Sequence, residues 1–354
     1  MNKNYSQKTK SGNRGIKRRD FIKIAAGTAA AAASVFVNPF QIKVAYGKDK
    51  NKPFTFAYIS DTHLYAGKEN HRFVKAIKKA VDDVNFLNPQ PDFVFFGGDL
   101  AQLGQMDELK LGKEILSGVK AKIHMMVGEH DWYFDMGEKW RELFGKDIYS
   151  FDHKGVHFVV LNSVIVKDYW TAPKMTPMER MKAMAQLDNP KGEAFTVGEE
   201  QRNWLKQDLS KITKDTPLII FSHSPLYKYY RPWNFWTDDA EQVQEILFPF
   251  EKVTVIHGHT HQVLTNRIKN ITFHGLLSTA WPWPYPSQGL PSLTIQMDRA
   301  DPFNQFDGCG DGRVDVLAGG EVNKHYNLWD RNQMDVTFES VSKGSESQTT
   351  GPSY

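Results

Sequence analysis

Five short stretches of this chain carry the side-chain types that hold metal ions. "DTH" contributes Asp61 and His63, "GGD" contributes Asp99, and "GEHD" contributes Glu129, His130 and Asp131. "SHS" adds His223, and "HGHTH" adds His257, His259 and His261. Carboxylates and imidazoles together suit zinc, manganese and iron, so the set reads as ligands for two transition-metal ions. Two ions ~3.5–4 Å apart need a carboxylate shared between them. Such a pair lowers the pKa of a water it holds and neutralises charge on the group under attack.

Each stretch closes an apolar run that reads as a strand: "FTFAYIS" (54–60), "DFVFFGGD" (92–99), "KIHMMVGEHD" (122–131), "TPLIIFSHS" (216–224) and "KVTVIHGHTH" (252–261). "GVHFVVLNS" (155–163) follows the same rule. Between them, Phe73, Val74, Ile77, Val81, Val84 and Leu87 recur at helical spacing, and residues 106–119 are helix-like. Reactive groups in α/β proteins gather at the carboxyl ends of strands, where loops converge. Residues 164–196 fit no strand and read as an insertion or lid; the methionines at 175, 178, 181 and 184 read as packing rather than ligands.

Asp-x-His, Gly-Asp, Gly-x-His-Asp, a lone His and Gly-His-x-His, in this order, resemble the calcineurin-like metallophosphoesterases over about residues 54–297. One block alone is unspecific; five in order, each after an apolar run, are specific. The resemblance implies an α/β fold, a four-layer α/β/β/α sandwich with a dinuclear site at the strand carboxyl ends. It implies that Asp61, His63 and His261 hold one ion, that Asp99 bridges, and that position 129, His223 and His259 hold the other. His130 then protonates the leaving oxygen or stabilises its charge, and Asp131 orients the His130 ring through its other nitrogen. His257 is expected at a strand end or behind the ligands, and Asn162 as a scaffold hydrogen bonder. The reaction implied is direct attack of a metal-bridging hydroxide on a phosphate mono- or diester. The alternative is a non-catalytic metal-binding or assembly protein that keeps the fold.

Two positions depart from the family pattern. The family usually has asparagine where this chain has Glu129. Two divalent ions (+4) against Asp61 and Asp99 (−2) leave +2, and Glu129 lowers that to +1. A less positive centre is a poorer Lewis acid unless one ion is trivalent, so a mixed Fe(III)/divalent pair joins iron, manganese and zinc among the expected cofactors. If Glu129 stands outside the ligand set, the second site is weak or empty. Gln102 occupies the position of the metal-binding tyrosine of purple acid phosphatases, which argues against that subgroup.

Residues 1–47 are a different kind of sequence. A basic opening runs into the short Ala-rich "IAAGTAAAAASVFV" and closes on "AYG", as an export signal does. "KRRDFIK" (Lys17 to Lys23) resembles the twin-arginine signal, which implies the Tat machinery as partner, a periplasmic or extracytoplasmic destination, and no stable membrane span after cleavage. This segment holds nine Lys/Arg and one acid (+8), so the remainder of the +3 chain carries 3 − 8 = −5. No nucleic-acid-binding surface is expected from that balance. The single cysteine, Cys309, can form no internal disulfide and reads as an ordinary thiol.

The organisation expected is a signal peptide over 1–47, a catalytic domain over 48–300 and a C-terminal extension over 301–354. In the extension, "FDGCGDGRVDVLAGG" (306–320) matches a calcium-binding loop only in part and reads as a Gly/Asp-rich turn without metal. Aromatic loops flank the metal stretches: "WYF" (132–134), "LYKYYRPWNFW" (226–236) and "WPWPYP" (281–286). From these, Trp132, Lys228 and Arg231 are the candidates for gripping substrate.

Overall fold

The structure, a computed structural model, describes residues 52–67, 71–132, 134–165, 175–176, 178–179 and 194–344. The expected signal segment, most of the expected lid and residues 345–354 lie outside these. Among the described residues no helix is long and apolar enough to cross a membrane.

Two six-stranded sheets form the centre. In chain order the strands of the first are β1 (Phe54–Ile59), β2 (Phe93–Phe96), β3 (Lys122–Met125), β12 (Gly310–Val316), β13 (Val322–Leu328) and β14 (Met334–Val336), and they lie side by side as β14-β13-β12-β1-β2-β3. The second contains β4 (Tyr149–His153), β5 (Val156–Leu161), β6 (Leu218–Ser222), β9 (Val253–His257), β10 (Thr265–Ile268) and β11 (Ile271–Gly275), ordered β10-β11-β9-β6-β5-β4. A small hairpin, β7 (Lys228–Tyr230) with β8 (Phe235–Trp236), stands apart from both.

The pairs β1–β2, β2–β3, β5–β6 and β6–β9 are parallel, so their carboxyl ends point one way within each sheet. Parallel strands are covered on both faces, which is why they read as unbroken apolar runs. Alternation along β1 shows the two faces. Phe56 and Tyr58 join Phe93, Phe95, Phe158 and Phe221 in the layer between the sheets, while Ala57 and Ile59 face a separate core. The rings of Phe95 and Phe221 stack across the two sheets with centroids 3.4 Å apart. Each ring so buried contributes about 2 kcal/mol.

Helices cover the outer faces. α1 (Arg72–Phe86) turns Val74, Ile77, Val81 and Val84 onto the first sheet, and α2 (Met106–Leu116) adds Leu109 and Leu116. The short α3 (Glu129–Trp132) and α4 (Glu138–Phe144) follow β3 on that side. α5 (Glu199–Leu209) and α6 (Ala240–Leu247) pack Leu205, Leu209, Val243 and Leu247 onto the second sheet. The last helix is α7 (Phe338–Lys343). The architecture is the expected α/β/β/α sandwich.

One element differs from the sequence reading. Residues 310–316 are a strand rather than a Gly/Asp-rich turn, and β12, β13 and β14 supply half of the first sheet. The stretch set apart as an extension is therefore structural, because β12 pairs directly with β1. Its acids diverge: Asp307 pairs with Arg331, Asp311 takes hydrogen bonds from Asn327, and Asp315 takes one from Thr55. They do not form a calcium loop.

Candidate metal centre

The site forms where the segments after β1, β2, β3, β6 and β9 meet. After β1 and β2 the chains run side by side, with the N–H groups of Asp61, Thr62, His63 and Leu64 donating to carbonyls of Gly98, Asp99, Asp99 and Leu100 at 2.8–3.0 Å. Asp61, His63, Asp99, His259 and His261 all have left-handed backbones, with φ between 48° and 65°. Few non-glycine residues adopt that region, and each costs of order 1 kcal/mol or more. The rest of the fold holds these turns and throws the side chains inward. Gly128 is needed for another reason: a Cβ there would lie 2.1 Å from Asp99 Oδ1.

Among the described residues two groups of buried ligand-type atoms result, Asp61–His63–His261 and Asp99–Glu129–His223–His259, and a third, His63–Asp99–His130, overlaps both and includes the half-buried His130. Asp99 reaches both: its Oδ2 is 3.2 Å from His223 Nε2 and 3.7 Å from His63 Nε2. In the first group His261 Nε2 stands 3.1 Å from Asp61 Oδ1 and 3.2 Å from His63 Nε2. In the second, Glu129 lies 2.6 Å from His259 Nδ1 and 2.9 Å from His223 Nε2.

The outward nitrogen of every one of these rings meets an oxygen. His63 Nδ1 faces Gln102 Oε1 at 3.0 Å, His223 Nδ1 the Gly97 carbonyl at 2.7 Å, His261 Nδ1 the Trp281 carbonyl at 2.8 Å, and His259 Nε2 the Asn234 carbonyl at 3.1 Å. An N–H committed outward leaves the other nitrogen's lone pair turned inward. For His63 and His261 two inward nitrogens then face each other beside a carboxylate, an arrangement that a cation resolves. Asp99 Oδ2, Glu129 Oε2 and His223 Nε2 converge at 2.9–3.2 Å, buried and with no well-aligned hydrogen bond among them, and buried polar atoms gathered in this way call for an occupant. The residues fit a pair of metal ions.

Charge follows the same pattern. Burial alone raises the Glu129 carboxyl, but His259 and His223 outweigh it and hold the group well below the usual carboxylate range. Burial lowers the His223 imidazole, yet Asp99 and Glu129 reverse that and raise it. His63, with fewer acids near, is pushed well down by burial and by His130 and His261. The second group thus draws positive charge, whether proton or metal.

His130 is half-buried at the edge of the site. Its N–H donates to Asp99 Oδ1 at 2.9 Å, and its ring stands edge-on to His63 with centroids 4.6 Å apart. The partner of its Nδ1 corrects the expectation. It is the Gln102 carbonyl, at 2.8 Å. The two Asp131 oxygens instead accept the N–H groups of Ala101 (2.9 Å) and Gly128 (3.1 Å), tying the loop after β3 to the loop after β2. Burial and Asp99 raise the Asp131 carboxyl well above its ordinary value. No sequence signal marks a backbone carbonyl, so the Gln102, Trp281 and Asn234 anchors were invisible beforehand.

Other expected residues sort as follows. Trp132 is buried in the helix-side core under Arg141, whose guanidinium lies 5.1 Å from its ring, and so it is no substrate contact. Lys228 is engaged by Glu241 at 3.1 Å rather than reaching for phosphate. Arg231 is half-buried on the 3-10 turn Arg231–Trp233. His257 faces Tyr227, away from the ligands, and burial pushes it down to about 3. Asn162 donates to Asp147 and caps Val164, the scaffold role expected of it. The ends of the expected lid are pinned together where Ile165 and Thr196 exchange backbone hydrogen bonds, and Phe195 packs against the His259 ring.

With the geometry in hand, the comparisons define the class. The calcineurin-like phosphoesterase family model matches residues 54–263, and the chain belongs to that family. It is a hydrolase of phosphoric ester bonds, and its ligand clusters suit the family's dimetal chemistry. A probable glycerophosphodiester phosphodiesterase of Arcobacter nitrofigilis is 25% identical over 216 residues, 58% of this chain and 71% of that protein. A probable cyclic nucleotide phosphodiesterase of Rhodopseudomonas palustris is 26% identical over 227 residues, 62% of this chain and 76% of that protein. The crystal structure of a dimetal phosphatase from Danio rerio shares the fold, with a TM-score of 0.53 at 16% identity over 80% of this chain and 99% of that one.

Proposed function

We propose that this protein is an exported phosphodiesterase that uses two metal ions. Asp61, His63 and His261 would hold one, and Glu129, His223 and His259 the other, with Asp99 placed between the two groups. When bound, the ions supply Lewis acidity and a water of lowered pKa. The chain's own groups do the rest. Carbonyls of Gly97, Trp281 and Asn234 and the Gln102 side chain fix the ligand rings, so no reorganisation is needed as charge develops. The Gln102 carbonyl holds His130 by Nδ1 and leaves Nε2 to face the substrate, where its protonated form donates to the departing oxygen.

The observation that carries the reading is the pair of inward nitrogens of His63 and His261, 3.2 Å apart beside Asp61. A diester rather than a monoester is favoured by charge: Glu129 takes one positive unit from the centre, which suits a monoanion better than a dianion. Two relatives named for diesters support this. Iron, manganese and zinc all suit the donor set; a mixed Fe(III)/divalent pair would restore the lost charge and with it the fit to a dianionic monoester.

His130→Ala keeps the backbone N–H that Asp99 accepts and removes only the ring. Turnover of bis-p-nitrophenyl phosphate should fall about 10²–10⁴-fold with metal content unchanged. Undiminished turnover in the metal-loaded variant overturns the role given to His130, and metal-replete protein inert on both bis-p-nitrophenyl and p-nitrophenyl phosphate overturns the reading.

A further inference from the structure

Two of the loops that anchor ligand histidines also carry a row of tryptophans. The Trp281 carbonyl holds His261 and the Asn234 carbonyl holds His259. The Trp281 ring lies against His63, with centroids 4.3 Å apart and an angle of 34° between planes. Trp283, two residues on, stands 6.5 Å from His261 and 6.4 Å from Trp281. Trp233, next to Asn234, lies nearly parallel to Trp283 with centroids 5.9 Å apart, and Tyr230 follows at 5.0 Å. All four rings are half-buried. The row therefore begins at the first ligand group, crosses two loops with its inner edges packed on the cores, and keeps part of each ring open. Its distance from the ligands is fixed, because the hydrogen bonds that orient His259 and His261 also seat the loops.

We propose that this row is the subsite for a flat aromatic group on the ester, a nucleobase, and that the substrate is a nucleoside phosphodiester. The inference rests on the phosphodiesterase reading and narrows it. A glycerol or other aliphatic alcohol offers nothing to stack, whereas every base has a π face that aromatic side chains hold. Trp283 and Trp233 are the specificity-determining residues. They touch no ligand atom through their side chains, so they set which ester is taken rather than how it is cut.

The test compares adenosine 5′-monophosphate with glycerol 3-phosphate on the full-length metal-loaded protein. Binding is read by tryptophan fluorescence and calorimetry. In parallel, kcat/KM is measured for thymidine 5′-p-nitrophenyl phosphate and for glycerophosphoethanolamine. The nucleotide should bind about tenfold or more tightly than glycerol phosphate. Trp283→Ala or Trp233→Ala should collapse that ratio, and Trp283→Phe should restore most of it. Equal binding of the two phosphates, or a ratio that survives both alanine variants, overturns the subsite. Ring-dependent nucleotide binding without turnover of either ester leaves the subsite standing and removes the phosphodiesterase reading. Turnover of both esters with no ring-dependent preference does the reverse.

Discussion

At the scale of the residue, Glu129 decides most. Its carboxylate sits between His223 and His259, 2.9 and 2.6 Å from their inward nitrogens, a geometry that fits the proposed ligand role. Glu129→Asn should change what the second site holds: the fraction of trivalent iron falls relative to divalent ions, read by elemental analysis and electron paramagnetic resonance. Unchanged metal content together with an unchanged pH–rate profile would take Glu129 out of the ligand set. That these acids and imidazoles would cluster was legible in the sequence, because such residues at strand ends have few other reasons to recur in order. The assistant to His130 was not, since a carbonyl belongs to every residue and only the fold chooses which one it offers. Asp131 misled for the same reason: its type suggested work on a ring, whereas its geometry serves two backbone N–H groups.

At the scale of the element, the β12–β13 hairpin holds a second anomaly. Along β13, Val322, Tyr326 and Leu328 turn inward, and so does Lys324, fully buried and without a hydrogen-bond partner. Its Nζ rests over the rings of Tyr58 at 3.3 Å and Tyr326 at 4.5 Å. Burial pushes its amine well below the ordinary lysine value. Between that lowered pKa and the unfolded value the unfolded chain binds a proton the folded one lacks, so stability falls as pH drops through this window. Lys324→Met should raise unfolding free energy by about 1–2 kcal/mol at pH 7 and flatten its rise toward pH 10, measured by urea titration at both pH values. A variant less stable than the parent at pH 7 refutes the account. The same hairpin shows where sequence reading stops. Asp311, Arg313 and Asp315 occupy one face of β12, so "GDGRVDV" resembles a turn, and only pairing with β1 and β13 makes it a strand. The doubly covered strands β1, β2, β5, β6 and β9 were readable as unbroken apolar runs.

At the scale of the whole molecule, the twin-arginine reading of Arg18 and Arg19 predicts where the protein goes. Replacing both by Lys should leave the chain in the cytoplasm while the parent appears in the periplasmic fraction, followed by immunoblot; equal export of both forms would reject that route. The sheet order gives the route a physical logic. Strand β1, which delivers Asp61 and His63, is flanked on one side by β12, and the Thr55–Asp315 bond across that pair spans 260 residues. Contacts of such separation form late, because a long loop must close first. A ribosome therefore finishes nearly all the described residues before β1, the strand that leads into Asp61 and His63, has both its neighbours in the sheet. If the chain is exported as the twin-arginine reading has it, a metal pair that needs the completed sheet would be taken up before export, in the compartment where synthesis ends.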